Sequence, residues 1–540
     1  MFSALHRNQF IEKLQEKEFD LLVIGGGITG AGIALDAISR GMTVALIDKQ
    51  DFAAGTSSRS TKLIHGGLRY LKQMEFALVA EVGQEREIVY RNAPHLVIPE
   101  KMLLPITEDG SLNMFSSSFG IYVYDVLAGV ERPERRRMLS KQETIAHEPL
   151  LKRERLKGAA LYTEYRTDDA RLVIEILKTA VEKGAVCLNY VSADEFIYEE
   201  EEVKGTKVQD VISEEKFEIK AKKVVNACGP WVDKLREKDN SLKGKRLHLT
   251  KGVHIVFEHR KLPLSQSLYF DVSDGRMIFA IPRGNSTYVG TTDTNYTGEL
   301  ERPSVTQQDV DYLLAATNAM FEGVNLTQND VVSSWCGLRP LIHEDGKSPS
   351  ELSRKDEIFI SDSGVISIAG GKLTGYRKMA EKTVNLVAKQ LHATGKKHFS
   401  SCNTDRIILS GGNFNSPKAI AGFIRSLNHI ARTVDCSEEQ TKTLVYKYGT
   451  NTSLILEKAK ELPSVAEAET WYSVNHEMTT SLSDFLIRRT GKLYFERPSI
   501  AAHYKETAKQ LSAFLNQDEI AQAKSLEEFK KEFSAVVNFG

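Results

Sequence analysis

The segment spanning residues 20–48 constrains the fold more than any other part of the chain. Residues 20–24 (DLLVI) read as a buried strand, residues 25–30 (GGGITG) as a tight turn, and Ile33, Ala34, Ala37 and Ile38 give the following helix its buried face. Gly41 supplies a C-cap, and residues 44–48 (VALID) return as a second, parallel strand. Within the turn, Gly25, Gly27 and Gly30 form G-x-G-x-x-G. That spacing turns the chain sharply, brings backbone close to a pyrophosphate and packs helix on strand. The helix start then offers N–H groups and the positive end of its dipole to phosphate oxygens. Asp48 ends the second strand, where it can accept ribose hydroxyls. The chain thus opens on a βαβ unit built for a dinucleotide.

The loop after the second strand favours FAD over NAD. Residues 51–70 (DFAAGTSSRSTKLIHGGLRY) form a Gly/Ser/Thr-rich stretch running into His65-Gly66-Gly67. Such a loop can wrap a pyrophosphate and reach a flavin ring with backbone groups, whereas an NAD domain moves straight to its next helix. A second glycine turn, Gly370-Gly371-Lys372-Leu373-Thr374, lies between a strand hairpin at 358–369 and a helix. Its helix start suits the negative charge of reduced flavin.

Elsewhere the pattern alternates between classes of structure. Residues 169–183 read as a helix, 185–191 as a strand, 195–220 as an antiparallel meander, and 223–226 as a strand entering Ala227-Cys228-Gly229-Pro230. Residues 247–293 are strand-rich, with a hairpin turn at 282–285, and suggest an antiparallel-sheet substrate domain. Beyond residue 396 the chain becomes helical: Pro417 follows Ser416 at a helix start, and Ser437-x-x-Gln440 is a capping box. These readings predict an FAD-dependent region at 1–395, with FAD-binding segments near 18–95, 150–240 and 335–395. The substrate domain falls near 96–149 and 241–334, and a helical domain at 396–540. Phe10, Ile11 and Leu14 mark a short amphipathic helix expected to pack on the core.

Composition narrows the partners. The 540 residues hold 71 basic and 72 acidic side chains, a balance that gives no support to nucleic-acid binding. The five cysteines are scattered without CxxC spacing, as free thiols in a reducing compartment, and no metal site is expected. No signal peptide or membrane-spanning stretch is read, so any membrane contact is expected to be peripheral.

The strings SSRSTKLIHGGLRYL, VVNACGPW, TKGVHIV, GTTDT, GLRPL and GGKLTGYRKMAE, with DFLIRRTG at 484–491, resemble the FAD-dependent glycerol-3-phosphate dehydrogenase family over nearly the whole chain. The resemblance implies an α/β fold: a Rossmann-like FAD domain of the glutathione-reductase/amino-acid-oxidase type with an inserted antiparallel sheet and an all-α C-terminal domain. It implies oxidation of sn-glycerol 3-phosphate to dihydroxyacetone phosphate by hydride transfer to flavin N5, with electrons passing to quinone. The rival is a glycerol-3-phosphate oxidase that reduces oxygen to hydrogen peroxide. It further implies non-covalent FAD, a homodimer, and peripheral attachment to the inner face of the cell membrane.

Most of the site residues lie in these strings, Arg354 lies in SELSRKDE, and Gly25, Gly27, Gly30 and Asp48 come from the glycine-turn unit. His254 and Arg339 are the expected catalytic pair, the first for the hydroxyl proton and the second for the developing alkoxide. Arg69, Tyr70, Arg354 and Lys372 are expected at the substrate, the cations holding its phosphate. Around FAD the expected residues are Gly25, Gly27, Gly30, Asp48, Ser60, Thr61, His65, Gly66, Gly67, Ala227, Gly229, Trp231, Gly371, Lys372, Leu373 and Thr374. Arg488 and Arg489 read as interdomain or solvated charges rather than catalytic ones.

Overall fold

The computed structural model describes residues 2–65, 76–108, 110, 135–343, 356–395 and 397–540. Strand Glu18–Ile24 stands at the middle of the first sheet, parallel to Val44–Ile47 on one side and to Lys216–Asn226 on the other. Val186–Leu188 extends the parallel order beyond Val44–Ile47, and Ile366–Ala369 lies parallel to Lys216–Asn226, with Glu357–Ile360 as an antiparallel edge. Leu21, Leu22 and Val23 are fully buried, as a strand covered on both faces requires. Helices Ile28–Ser39, Asp169–Glu182 and Tyr376–Gly395 pack together against this sheet. The expected meander is present as Val191–Glu199, Glu202–Asp210 and Lys216–Asn226. Helix Arg7–Glu16 buries Phe10, Ile11 and Leu14 in the same core.

Among the described residues the second sheet has ten strands and is antiparallel except where Ser267–Asp271 pairs with Ile98–Thr107. Its long members are Ile98–Thr107, Leu156–Arg166, Leu247–Glu258 and Val331–Ile342. Helix Gln307–Met320, started by a Thr306/Asp309 capping box, packs against Leu247–Glu258. The expected α/β fold with an antiparallel sheet and a helical C-terminal region is what the structure has.

The helical region from Pro417 onward divides its allegiance. Ile420, Ile424, Leu444, Val445, Leu456 and Tyr472 form a core of their own, with the Ser437/Gln440 capping box in place. Leu482, Phe485, Leu486 and Leu493 instead join the core of the first sheet. Charged groups cross the same seam: Arg171 pairs with Glu477 at 2.7 Å and also with Glu175, while Asp51 takes Arg488 and Arg489. Among the described residues no helix is long and apolar enough to cross a membrane.

Removing one partner of a buried pair strands the other charge at a cost of about 3–5 kcal/mol. Glu477→Gln is therefore expected to destabilise the fold by that order in chemical denaturation. At Asp51 burial acts to raise the carboxyl pKa, but Arg489 and Arg488 overcome it and pull the value from 3.8 to about 2. The folded value lies below the unfolded one, so the stability Asp51 adds is present above about pH 4 and is lost as pH falls toward the folded value. The midpoint of thermal unfolding should fall steeply below about pH 4. A midpoint that stayed flat into that range would contradict the assignment.

Candidate active site

The nucleotide end is built on the glycine turn. A Cβ at Gly30 would run into the carbonyl oxygen of Gly25, so only glycine lets the helix start this close to the strand end. Gly27 is the N-cap of helix Ile28–Ser39 and supplies no side-chain cap, which leaves helix-start donors to a ligand. The Asp48 carboxylate accepts from the Gly26 N–H at 2.7 Å and the Gln50 N–H at 2.8 Å. Burial pushes its pKa up to about 6 against those two bonds. Ser57, which the sequence pattern does not single out, accepts the Ile28 N–H at 2.9 Å. Its one signal is its place in the Gly/Ser/Thr-rich loop. Ala227 lies behind Gly25, and Gly229 leads into Trp231. The Trp231 indole N–H donates to Glu301 at 2.9 Å, and Lys49 sits over its ring. A helix start whose N-cap residue has no side chain, with only its first N–H held by Ser57, a fixed carboxylate and a bare glycine turn fit a dinucleotide.

The expected catalytic residues His254 and Arg339 lie on two paired strands. Thr250, Gly252 and His254 of Leu247–Glu258 stand opposite Arg339, Gly337 and Trp335 of Val331–Ile342. Alternate residues share a face, so His254, Trp335 and Arg339 project together. Gly252 has no side chain, and the Arg339 guanidinium lies where one would be. Arg339 donates to Thr291 Oγ1 at 2.9 Å, the Thr292 carbonyl at 3.2 Å and Asp293 at 3.2 Å. His254 is 1% exposed and stacks on Trp335 with ring centres 4.8 Å apart. Its Nε2 lies 3.0 Å from Thr61 Oγ1, and its buried Nδ1 has no hydrogen-bond partner among the described residues. Burial, and then the charges of Arg339 and Lys62, push the His254 pKa well below its usual value, so the ring is neutral.

The loop between these ends is tied down at several points. Ser60 turns its N–H and hydroxyl to Asp169, and its carbonyl accepts from the Trp335 indole. Thr61 meets His254, so both residues expected at the cofactor bind protein groups here. Lys62 is buried, 2.5 Å from Asp169 and above the Trp335 ring. Thr61, Lys62 and Trp335 complete the surroundings of His254. The last two are absent from the sequence expectations, since each looks like ordinary loop or core there.

On the third side, Gly370 and Gly371 adopt positive φ and lead through Leu373–Gly375 into helix Tyr376–Gly395. Lys372 is half-buried in this turn, and Thr374 donates to the His65 carbonyl at 3.3 Å. This turn and the His65 end of the loop are thereby brought together. Gly66, Gly67, Arg69, Tyr70 and Arg354 lie outside the described residues.

A glycine-turn dinucleotide site joined to a neutral histidine and an arginine on an antiparallel sheet defines a flavin-dependent oxidoreductase. Residues 20–377 match the FAD dependent oxidoreductase family, and residues 402–522 match the C-terminal domain of alpha-glycerophosphate oxidase. The chain is 50% identical over 539 residues to the aerobic glycerol-3-phosphate dehydrogenase of Bacillus subtilis (strain 168), covering 98% of this chain and 97% of that one. The structure of the glycerol-3-phosphate dehydrogenase from Bacillus halodurans complexed with FAD superposes with a TM-score of 0.86 at 44% identity, covering 100% and 99% of the two chains. The L-alpha-glycerophosphate oxidase of Mycoplasma pneumoniae shares the fold, at a TM-score of 0.55 and 16% identity over 71% of this chain and 96% of that one. The chain belongs to the FAD-dependent glycerol-3-phosphate dehydrogenase family, and FAD is its cofactor.

The geometry at His254 and Gly252 sets two expected outcomes. The His254 imidazole should stay neutral on acidification through the range in which an ordinary histidine, near ~6.5, takes up its proton, read from ring-carbon NMR shifts of labelled histidine. Gly252→Ala should displace the Arg339 guanidinium and lower kcat/KM by about 10²-fold, the order seen when one charge-stabilising donor is lost. Flavin content should remain full; a variant with unchanged kcat/KM would show that Arg339 does not act from this position.

Proposed function

We propose that this chain oxidises sn-glycerol 3-phosphate to dihydroxyacetone phosphate and delivers the electrons to a membrane quinone. One observation carries the reading: a buried, neutral His254 held between Thr61 and Trp335, with the Arg339 cation laid over Gly252 on the same face. Oxidising a secondary alcohol removes its carbon-bound hydrogen with two electrons, which FAD accepts when bound, and its hydroxyl proton, which falls to a protein group. A neutral imidazole accepts that proton where an imidazolium could not. Arg339 meets the negative charge that grows on the oxygen as the proton leaves. Arg69, Arg354 and Lys372 hold the phosphate through charge-assisted hydrogen bonds, with Tyr70 beside them. The family resemblance supports FAD held without a covalent link, and a homodimer working peripherally at the inner face of the membrane.

The match of residues 402–522 to a domain described for an oxidase favours a second reading, in which oxygen takes the electrons and hydrogen peroxide forms. Peroxide yield set against reduction of a quinone analogue separates the two. The substrate itself is tested by anaerobic titration with sn-glycerol 3-phosphate. The oxidised flavin absorbance should bleach to completion, and a spectrum that stayed oxidised would overturn the proposal. His254→Asn should retain FAD and lose about 10²–10⁴-fold in kcat, the usual worth of a positioned proton acceptor.

A further inference from the structure

Two consecutive arginines of the C-terminal region reach the loop that wraps the glycine turn. Segment Asp484–Arg489 is a π-helix, a form that recurs at functional sites. Asp484 fixes its start by accepting from the backbone N–H and hydroxyl groups of Thr480 and Ser481. From it, Arg488 Nε donates to Asp51 Oδ2 at 2.5 Å. Arg489 forks onto both oxygens of the same carboxylate, Nη1 to Oδ2 at 2.8 Å and Nη2 to Oδ1 at 2.9 Å. Asn189 completes the set, its side-chain N–H donating to Oδ1 at 2.9 Å. Asp51 and Arg489 are fully buried and Arg488 is nearly so.

Three residues near Asp51 in sequence hold the glycine turn. Asp48 accepts the Gly26 N–H, the Phe52 ring lies against Gly26, and the Ala53 N–H donates to the Gly26 carbonyl at 3.0 Å. Among the described residues, Asp51 is therefore the one point at which this wrap is tied to the C-terminal region by charge, and its four donors leave it no reason to move. Glu469 offers the contrast. It is equally buried and paired, to Lys447 at 3.0 Å and Lys492 at 2.7 Å, but it lies within the helical region and makes its ion pairs there rather than to the loop.

We propose that Arg488 and Arg489 are positioning residues for the nucleotide half of bound FAD, acting through Asp51 to press the 48–54 segment onto Gly26. The inference rests on FAD being the ligand of the glycine turn and is independent of which alcohol the enzyme oxidises. Lysine keeps the charge of Arg489 but cannot fork onto two oxygens.

The test is the rate at which the holoenzyme releases FAD, followed by the rise in flavin fluorescence on dilution, with no substrate present. Arg489→Lys should release FAD about tenfold faster, the factor that accompanies loss of one charge-assisted hydrogen bond. Its KM for sn-glycerol 3-phosphate should be unchanged. Glu469→Gln, which destabilises the helical region without touching Asp51, should release FAD at the wild-type rate. A release rate for Arg489→Lys within about twofold of wild type, or equal acceleration by Glu469→Gln, would overturn the proposal. Should Arg489→Lys fail to fold, hydrogen exchange on the unaltered holoenzyme decides. Peptides 22–32 and 480–492 should open together, and a 480–492 peptide that opens while 22–32 stays protected would reject the coupling.

Discussion

One segment, residues 48–65, links the glycine turn, the paired strands that carry His254 and the turn at Thr374, and their arrangement depends on its being held. It begins on Gly26 through Asp48, turns inward at Asp51, and takes the Ile28 N–H on Ser57. Thr56 then donates to the Leu338 carbonyl, Thr61 meets His254, and the His65 carbonyl accepts from Thr374. Ala53 and Lys62 sit at positive φ, which costs a residue with a side chain of order 1 kcal/mol or more and persists only where surroundings dictate it. Here the surroundings are ion pairs and hydrogen bonds to both sheets and to the C-terminal region. Its own regular structure is only the short turn Thr56–Ser58 and the two-residue strand Leu63–Ile64, so these side-chain and backbone contacts hold most of it.

Burial acts on the two central ionisable groups with opposite results. At Asp51 the desolvation that disfavours charge is outweighed by two guanidinium groups, and the carboxylate stays ionised. At His254 the same desolvation is reinforced by Arg339 and Lys62, and the ring stays neutral. Neighbours of one sign thus make the first group a fixed structural anion and the second a base without charge.

The parts of this design legible in sequence are those written in local pattern. The glycine turn, the meander, the Ser437 capping box and the buried face of helix Arg7–Glu16 each come from spacing within about a dozen residues. His254 and Arg339 are legible as an expected pair through the family resemblance, but their shared face is set by the register that puts Gly252 opposite Gly337, which no short window of sequence shows. Lys62 and Trp335 escape notice because a lone lysine in a loop and a tryptophan in a strand carry no local signal. The strands Ile98–Thr107 and Leu156–Arg166 pair across some fifty residues, and such pairing is written in no short window. Arg488 and Arg489 read in sequence as interdomain or solvated charges; their common target lies more than four hundred positions away.

The two ends of the site make unequal demands on geometry. A dinucleotide is gripped by backbone, which tolerates many side chains provided the glycines remain, and so its signature survives in a short motif. His254, Arg339 and the Thr61 that meets His254 come from two strands and a loop, each placed by a different long-range contact, and a shift of about 1 Å in a catalytic group can cost two orders of magnitude in rate. Gly252 acts through the arginine lying over it, whose guanidinium occupies the place a side chain would take. The absence of a side chain fixes where the charge can be, and the charge is part of what keeps His254 neutral.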